Sequence, residues 1–291
     1  MPPLRFWWSH LHAPLAVFVV LATVFAVTPL DEQIARAVFF DAINARWVGG
    51  DAWVVNELIH TGGRWAIRAF LALVLAFWIA TYVERDWRAL RRPAAFFTIA
   101  ALLSIGVVGL LKTMTNVDCP WDLVPFGGRF PYVELFADRP DALRVARCFP
   151  AAHASSGYAL LALYFVFRER HATLAKVALG LGVLAGLIFG VAQQARGAHF
   201  VSHDVWSAFL VWTVTLSTYA FAFRARLWKS EEHEAAVPRR LAPYLHPAGR
   251  SGLSAGAARA TGQRSARRAA LGGADLHLQH ADRAEGSAHR D

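Results

Sequence analysis

Residues 175–204 read AKVALGLGVLAGLIFGVAQQARGAHFVSHD, and this stretch decides the fold. From Ala175 to Gln194 the only charge is Lys176. A run of that length matches the roughly 17–25 helical residues needed to cross a ~30 Å hydrocarbon core. Directly after it Arg196, His199, Ser202, His203 and Asp204 fall close together, and an apolar run resumes at Val205. A membrane helix therefore ends on a dense polar connection and a second one leaves it.

Outward from there the same pattern recurs. Apolar blocks lie at about Pro14–Leu30, Ala66–Val83, Pro93–Leu111, His153–Phe167, Ala175–Gln194 and Val205–Phe223. Mean hydropathy is +0.33 and 56% of the 291 residues are apolar, too many for an ordinary soluble domain. The expected fold class is all-α, a polytopic integral membrane protein built as a six-helix transmembrane bundle. The first block reads as a retained helix, because no small-x-small cleavage site follows Val27. The fourth block is short and carries Ser155, Ser156 and Gly157, which suits a helix end buried in protein. Of eleven tryptophans, Trp7, Trp8, Trp47, Trp53, Trp65, Trp87 and Trp228 sit at block ends, where amphipathic rings favour the interface.

Orientation follows from the basic residues of the short connections. Arg85, Arg88, Arg91 and Arg92 fill one, Arg168, Arg170 and Lys176 flank another, and Arg224, Arg226 and Lys229 follow the last block. These are expected on the cytoplasmic side of a bacterial-type inner membrane, with both termini. Segments 31–65, 112–150 and 195–204 are then outside. In the first of these, Ile34, Val38, Ile43 and Trp47 alternate with charged residues near helical spacing, which predicts amphipathic interfacial helices. The expected membrane domain is 1–229. Residues 230–291, rich in Ala, Gly, Arg, Ser and His, are expected to form a disordered basic cytoplasmic tail. The net charge of +9 sits largely in that tail and the short loops, so lipid and topology explain it and nucleic acid is not an expected partner.

Three polar clusters meet the outer face: Lys112, then Pro150 to His153, then Arg196 to Asp204. Each has a plain reading alone, a snorkelling lysine or a hydrogen-bonded histidine. Together they suit phosphomonoester cleavage, which needs one histidine to attack phosphorus and another to protonate the leaving alkoxide. Lys112 and Arg196 would take the equatorial oxygens, and free N–H groups at the helix starts near Pro150 and Ser202 would face the anion. No metal or cofactor is required.

The clusters resemble the motifs of the type 2 phosphatidic acid phosphatase (PAP2) family, Lys-x6-Arg-Pro, Pro-Ser-Gly-His and Ser-Arg-x5-His-x3-Asp. Lys112 and Pro120 match the first, with Cys119 at the arginine position. Pro150 and His153 match the second, with Ala151 and Ala152 between them. Gly197-Ala198-His199-Phe200 resembles the third. The resemblance implies a six-helix, acid phosphatase/vanadium haloperoxidase-like core, with His199 as nucleophile and His153 as general acid. The family aspartate falls on His203, with Asp204 one step on; either is expected to orient His199. The family arginine falls on Gln193, so two arginine positions are vacant, with Arg196, Arg147 and Arg129 as replacements. The implied partner is a phosphorylated membrane lipid: phosphatidic acid, phosphatidylglycerol phosphate, undecaprenyl diphosphate or lipid A phosphates. Alternatives are a lipid phosphotransferase, a non-catalytic lipid binder or transporter, and a haem- or metal-binding membrane protein. Finally, Cys119 and Cys148 are the chain's two cysteines and share the outer loop, so they are expected to form a disulfide.

Overall fold

The computed structural model describes residues 2–135 and 137–236. The tail expected to be disordered lies, beyond Ala236, outside the described residues. Helix α1 includes the span Leu4–Val27, followed by α2 (Leu30–Ile34), strands β1 (Phe40–Asp41) and β2 (Arg46–Trp47), and a long helical segment α3 covering Val54–Val83. Then come α4 (Arg91–Met114), α5 within Ala152–Phe167, α6 (Ala172–Ala195) and α7 (Val201–Ala236), bent at Phe223. Among the described residues five helices are long and apolar enough to cross a membrane, and Ala152–Phe167 is the shorter sixth. The apolar blocks read from sequence and the observed helices coincide in all six places.

The helices divide by what covers them. Only 6% of the apolar stretch is buried in the α1 and α3 spans, against 44% in the span ending at Met114. The first two therefore offer their apolar side chains to lipid, while α4 is the central post. Phe96, Phe97, Ala100 and Ala101 of α4 pack on Phe165 and Tyr219 to form the core, and Val108 joins Ala154, Tyr158 and Val211 nearer the polar end. Between α5 and α6 the backbones nearly touch. A Cβ on Gly157 would run into the backbone of Ala185 and Gly186, and one on Gly186 into the Tyr158 ring. Small residues are what permits such an approach, and where lipid removes the hydrophobic drive the close packing itself stabilises the pair. Against α7, α1 stacks Phe18 on Phe209 at 3.9 Å, and Trp212 donates its indole N–H to the His10 carbonyl at 2.6 Å.

The segment between α1 and α3 departs from the expected run of amphipathic helices. It is helical at Leu30–Ile34, continues as a π-helical turn over Ala35–Phe39 and is helical again from Val54, but residues 40–47 turn back as a two-stranded hairpin pairing Phe40 with Trp47. The reason is local. Asp41 Oδ1 accepts the N–H groups of Ile43 and Asn44, a side-chain turn that competes with helix, and Ala45 adopts φ 49°. The hairpin brings Trp47 to the α6–α7 connection, and the Gly49 N–H bonds the Ala195 carbonyl at 2.8 Å.

The loop from Thr115 to Ala151 has its ends laced together. Asn116, at φ 50°, accepts the Ala146 N–H at 2.7 Å, Cys148 N–H bonds the Val117 carbonyl at 2.9 Å, and the Thr115 hydroxyl reaches the Phe149 carbonyl. Buried Asp118 takes Arg139 at 2.6 Å, and Arg144 pairs with Asp122 at 2.6 Å. Cys119 and Cys148 lie within bonding reach, their Cα atoms 5.1 Å apart. The loop's regular structure among the described residues is two short 3-10 turns, Pro120–Asp122 and Val124–Phe126, and a bridge from Leu123 to Phe130. A loop this long is uncommon unless it carries function, and this one leads straight into α5.

Candidate active site

The three polar clusters converge at one end of the bundle. The α6–α7 connection makes a tight turn at Gly197, whose φ is 76°, with its Cα pressed against the Trp47 indole so closely that a Cβ would collide. Only glycine fits both demands. The turn is pinned by Trp121 N–H to the Gly197 carbonyl at 2.9 Å and by Ala198 N–H to the Gln193 carbonyl at 2.9 Å. His199 follows, buried, and His203 comes one turn later on α7. Their Nδ1 atoms are 3.3 Å apart, and His203 Nδ1 is 3.0 Å from the Cys148 carbonyl. A carbonyl only accepts, so His203 Nδ1 carries a hydrogen.

Burial holds the His199 imidazole well below its ordinary range, and the positive charge of Lys112 and the neighbouring His203 push the same way. Lys112, at the end of α4, is close enough to act on both histidines. It makes no ion pair among the described residues. A neutral histidine beside a cation with its hydrogen-bonding capacity unspent is an arrangement suited to an anion.

His153 stands at the start of α5, its ring 4.9 Å from His60 and 4.6 Å from Phe189. Its Nε2 is buried with no hydrogen-bond partner. Ser207 ties α5 to α7 by donating to the carbonyls of Ala151 and His203 at 3.1 and 2.9 Å. Arg196, half-buried, donates to Gln193 Oε1 at 3.0 Å. Desolvation, then the nearby charge of Arg64, lowers its affinity for a proton.

Of the two residues expected to orient His199, His203 is the one beside it. Asp204 turns the other way: Gln194 donates to its Oδ2, its Oδ1 is buried unpaired, and Gly190 leaves room for the carboxylate. Arg129 and Arg147 are exposed, Arg147 flanked by buried Ala146 and Cys148 on an extended strand of loop. The expectation of free N–H groups at the start of α7 needs correcting. Ser202 N–H is taken by Asp31 Oδ1 at 3.0 Å, a cap supplied from the α1–α2 side, so it is not available to an anion. Burial raises the Asp31 carboxyl above its usual range while that bond opposes the shift.

His60 and Arg64 on α3 went unread in the sequence although both belong to this site. His60 Nδ1 is 2.9 Å from Gln193 Nε2 and its ring packs on His153. Arg64, one turn on, is within electrostatic reach of His60, His153 and Arg196. The signal was there: a histidine and an arginine four apart, hence on one helix face, in a segment already expected on the outer side.

Residues 93–227 match the model of the PAP2 superfamily, from the start of α4 into α7. No curated protein and no solved structure matches the chain. The matched region includes Lys112, His153, Arg196, His199 and His203 and leaves His60 and Arg64 outside it.

Proposed function

Residues 93–227 belong to the PAP2 superfamily, and from that membership we propose that the protein is a membrane phosphatase acting on a lipid or polyprenyl phosphate. The superfamily implies phosphatase or phosphotransferase-type chemistry. The observation that carries the finer reading is the meeting of neutral, buried His199 with the charge of Lys112.

In the proposed reaction His199 Nε2 attacks phosphorus while the bond to the leaving oxygen breaks. His153 gives that oxygen a proton, leaving the lipid alcohol and a phosphohistidine. Water then attacks the phosphohistidine, His153 takes the proton back, and inorganic phosphate leaves with His199 restored. Lys112 and Arg196 bind the equatorial oxygens as their charge grows. For attack through Nε2 the His199 proton must sit on Nδ1 and be donated to the Cys148 carbonyl, which then accepts from both histidines. In this reading the site faces outward from an inner membrane with the termini inside, an orientation that the basic residues of the opposite connections support. The membrane setting supports a lipid substrate, because apolar helices surround the polar end.

Phosphate release from a panel of lipid phosphates, by wild type and His199→Ala, tests this directly. Near-complete loss in the variant is expected, since no other covalent path remains. Release at the wild-type rate would remove His199 from the mechanism.

A further inference from the structure

Gln193 occupies the position at which the PAP2 motif has an arginine, and it is not idle. Arg196 Nη1 lies 3.0 Å from its Oε1 and His60 Nδ1 lies 2.9 Å from its Nε2. These contacts fix which way round the amide sits. A guanidinium can only donate, so the oxygen must face Arg196 and the NH2 group must face His60. An amide nitrogen can only donate too, so His60 Nδ1 must accept. His60 is therefore neutral, with its one ring proton on Nε2. Protonation at Nδ1 would set two donors against each other and break the bond.

The His60 ring lies 4.9 Å from the His153 ring at 46°, and Phe189 lies 4.6 Å from the same ring. His153 is thus held between two ring neighbours, with its Nε2 buried and unpartnered. A leaving-group acid needs such a setting. Its ring must point one way, and no further positive charge should be added beside it when it carries the proton. The groups facing His60 are His153 from α5, Arg196 and Gln193 from the end of α6, and Arg64 on its own helix. With two arginines already close, a third cation at His60 would work directly against a protonated His153.

We propose that His60 is a positioning residue for His153, held in one orientation and one tautomer by Arg196 acting through Gln193, and that this chain serves the proton-donation step. The inference rests on the phosphatase reading above and adds to it a residue from outside the family-matched region. Gln193, in place of an arginine, becomes the link that turns Arg196 from a bare anion binder into a setter of the His60 ring orientation and tautomer.

The test compares kcat/KM for two substrates of purified full-length protein: an alkyl phosphomonoester such as a short-chain phosphatidic acid, and 4-nitrophenyl phosphate. The alkyl leaving group needs the acid and the nitrophenolate barely does. His60→Ala is expected to lose at least about tenfold more on the alkyl substrate than on the nitrophenyl one, within the range general-acid catalysis supplies. His60→Phe, which keeps a neutral ring against His153, is expected to restore the ratio to within about threefold of wild type. Gln193→Met breaks the link without removing the ring. It frees the His60 ring to turn, and is expected, like His60→Ala, to lose at least about tenfold more on the alkyl substrate than on the nitrophenyl one. Equal losses on both substrates in His60→Ala, or in Gln193→Met, would overturn the proposal. His199→Ala separates the two readings: if it keeps turnover the phosphatase mechanism fails, whereas if it abolishes turnover and the ratios do not move, only the role of His60 fails.

Discussion

His199 and His203 face each other through their Nδ1 atoms at 3.3 Å, with the Cys148 carbonyl 3.0 Å from the second. The carbonyl accepts only, so with both Nδ1–H groups donating to it the carbonyl sets the His199 tautomer while His203 holds the ring beside it. His203→Ala is expected to slow phosphate release about 10- to 100-fold, the usual effect of removing the group that orients a reacting histidine. Asp204→Asn keeps the shape against Gly190 and its bond to Gln194, and is expected to be milder. Rates for the two variants on one substrate decide the matter; a larger loss in Asp204→Asn would give the orienting role to the carboxylate.

The depressed proton affinity of His199 gives a pH dependence with a definite sign. Only the neutral ring attacks phosphorus, and burial together with Lys112 keeps it neutral to below the ordinary value near 6.5. The acid limb of kcat/KM is therefore expected below 6.5. Stability runs the same way: below 6.5 the unfolded chain binds a proton at this histidine that the folded chain refuses, so folding weakens as pH falls. Melting at pH 5 and pH 7.5, in wild type and His199→Gln, measures that share. An acid limb above 6.5 would contradict the buried, cation-facing setting of the ring.

Gly197→Ala tests the turn that delivers His199. The left-handed backbone costs an L-residue about 1–2 kcal/mol, and the new Cβ also meets the Trp47 ring. Lower melting temperature and reduced activity are expected together, because displacing Trp47 and displacing His199 are one movement. Trp47→Ala should recover part of the loss, and its failure to do so would leave backbone conformation as the whole effect.

The helices were legible because apolar length is a property of the sequence alone, and the three polar clusters because topology put them on one face. What escaped was set by contacts between distant segments. The hairpin at residues 40–47 depends on Asp41 turning its own backbone, a local competition that hydrophobic spacing does not register. On its own His60 carries no mark of a role in the sequence; that role comes only from the meeting of α3 with α6 at Gln193. Asp31 likewise gave no sign that it would cap α7, 171 residues away. Asp204, a residue apart from His203 in sequence, lies on another side of the helix, since one step turns a helix by more than a quarter circle.

Cys119 and Cys148, with Cα atoms 5.1 Å apart, are expected to be bonded in protein taken from the membrane. Closing a loop over a separation of 29 residues removes freedom from the unfolded chain worth about 3–4 kcal/mol in the chain-entropy treatment. The consequence reaches the site through the backbone, because the carbonyl of Cys148 is the acceptor for His203. Reduction should therefore cost activity before it costs the fold, by letting the strand that carries Cys148 drift from the histidine pair. Phosphate release with and without a reductant, in wild type and in a Cys119→Ser/Cys148→Ser double variant, reads this. Wild type is expected to slow on reduction toward the rate of the double variant, which should ignore the reductant. Mass spectrometry of unreduced, alkylated protein checks the bond itself. Two alkylated cysteines would end the idea, and a cross-linked peptide pair with no response to reductant would leave the bond as a brace for the loop alone.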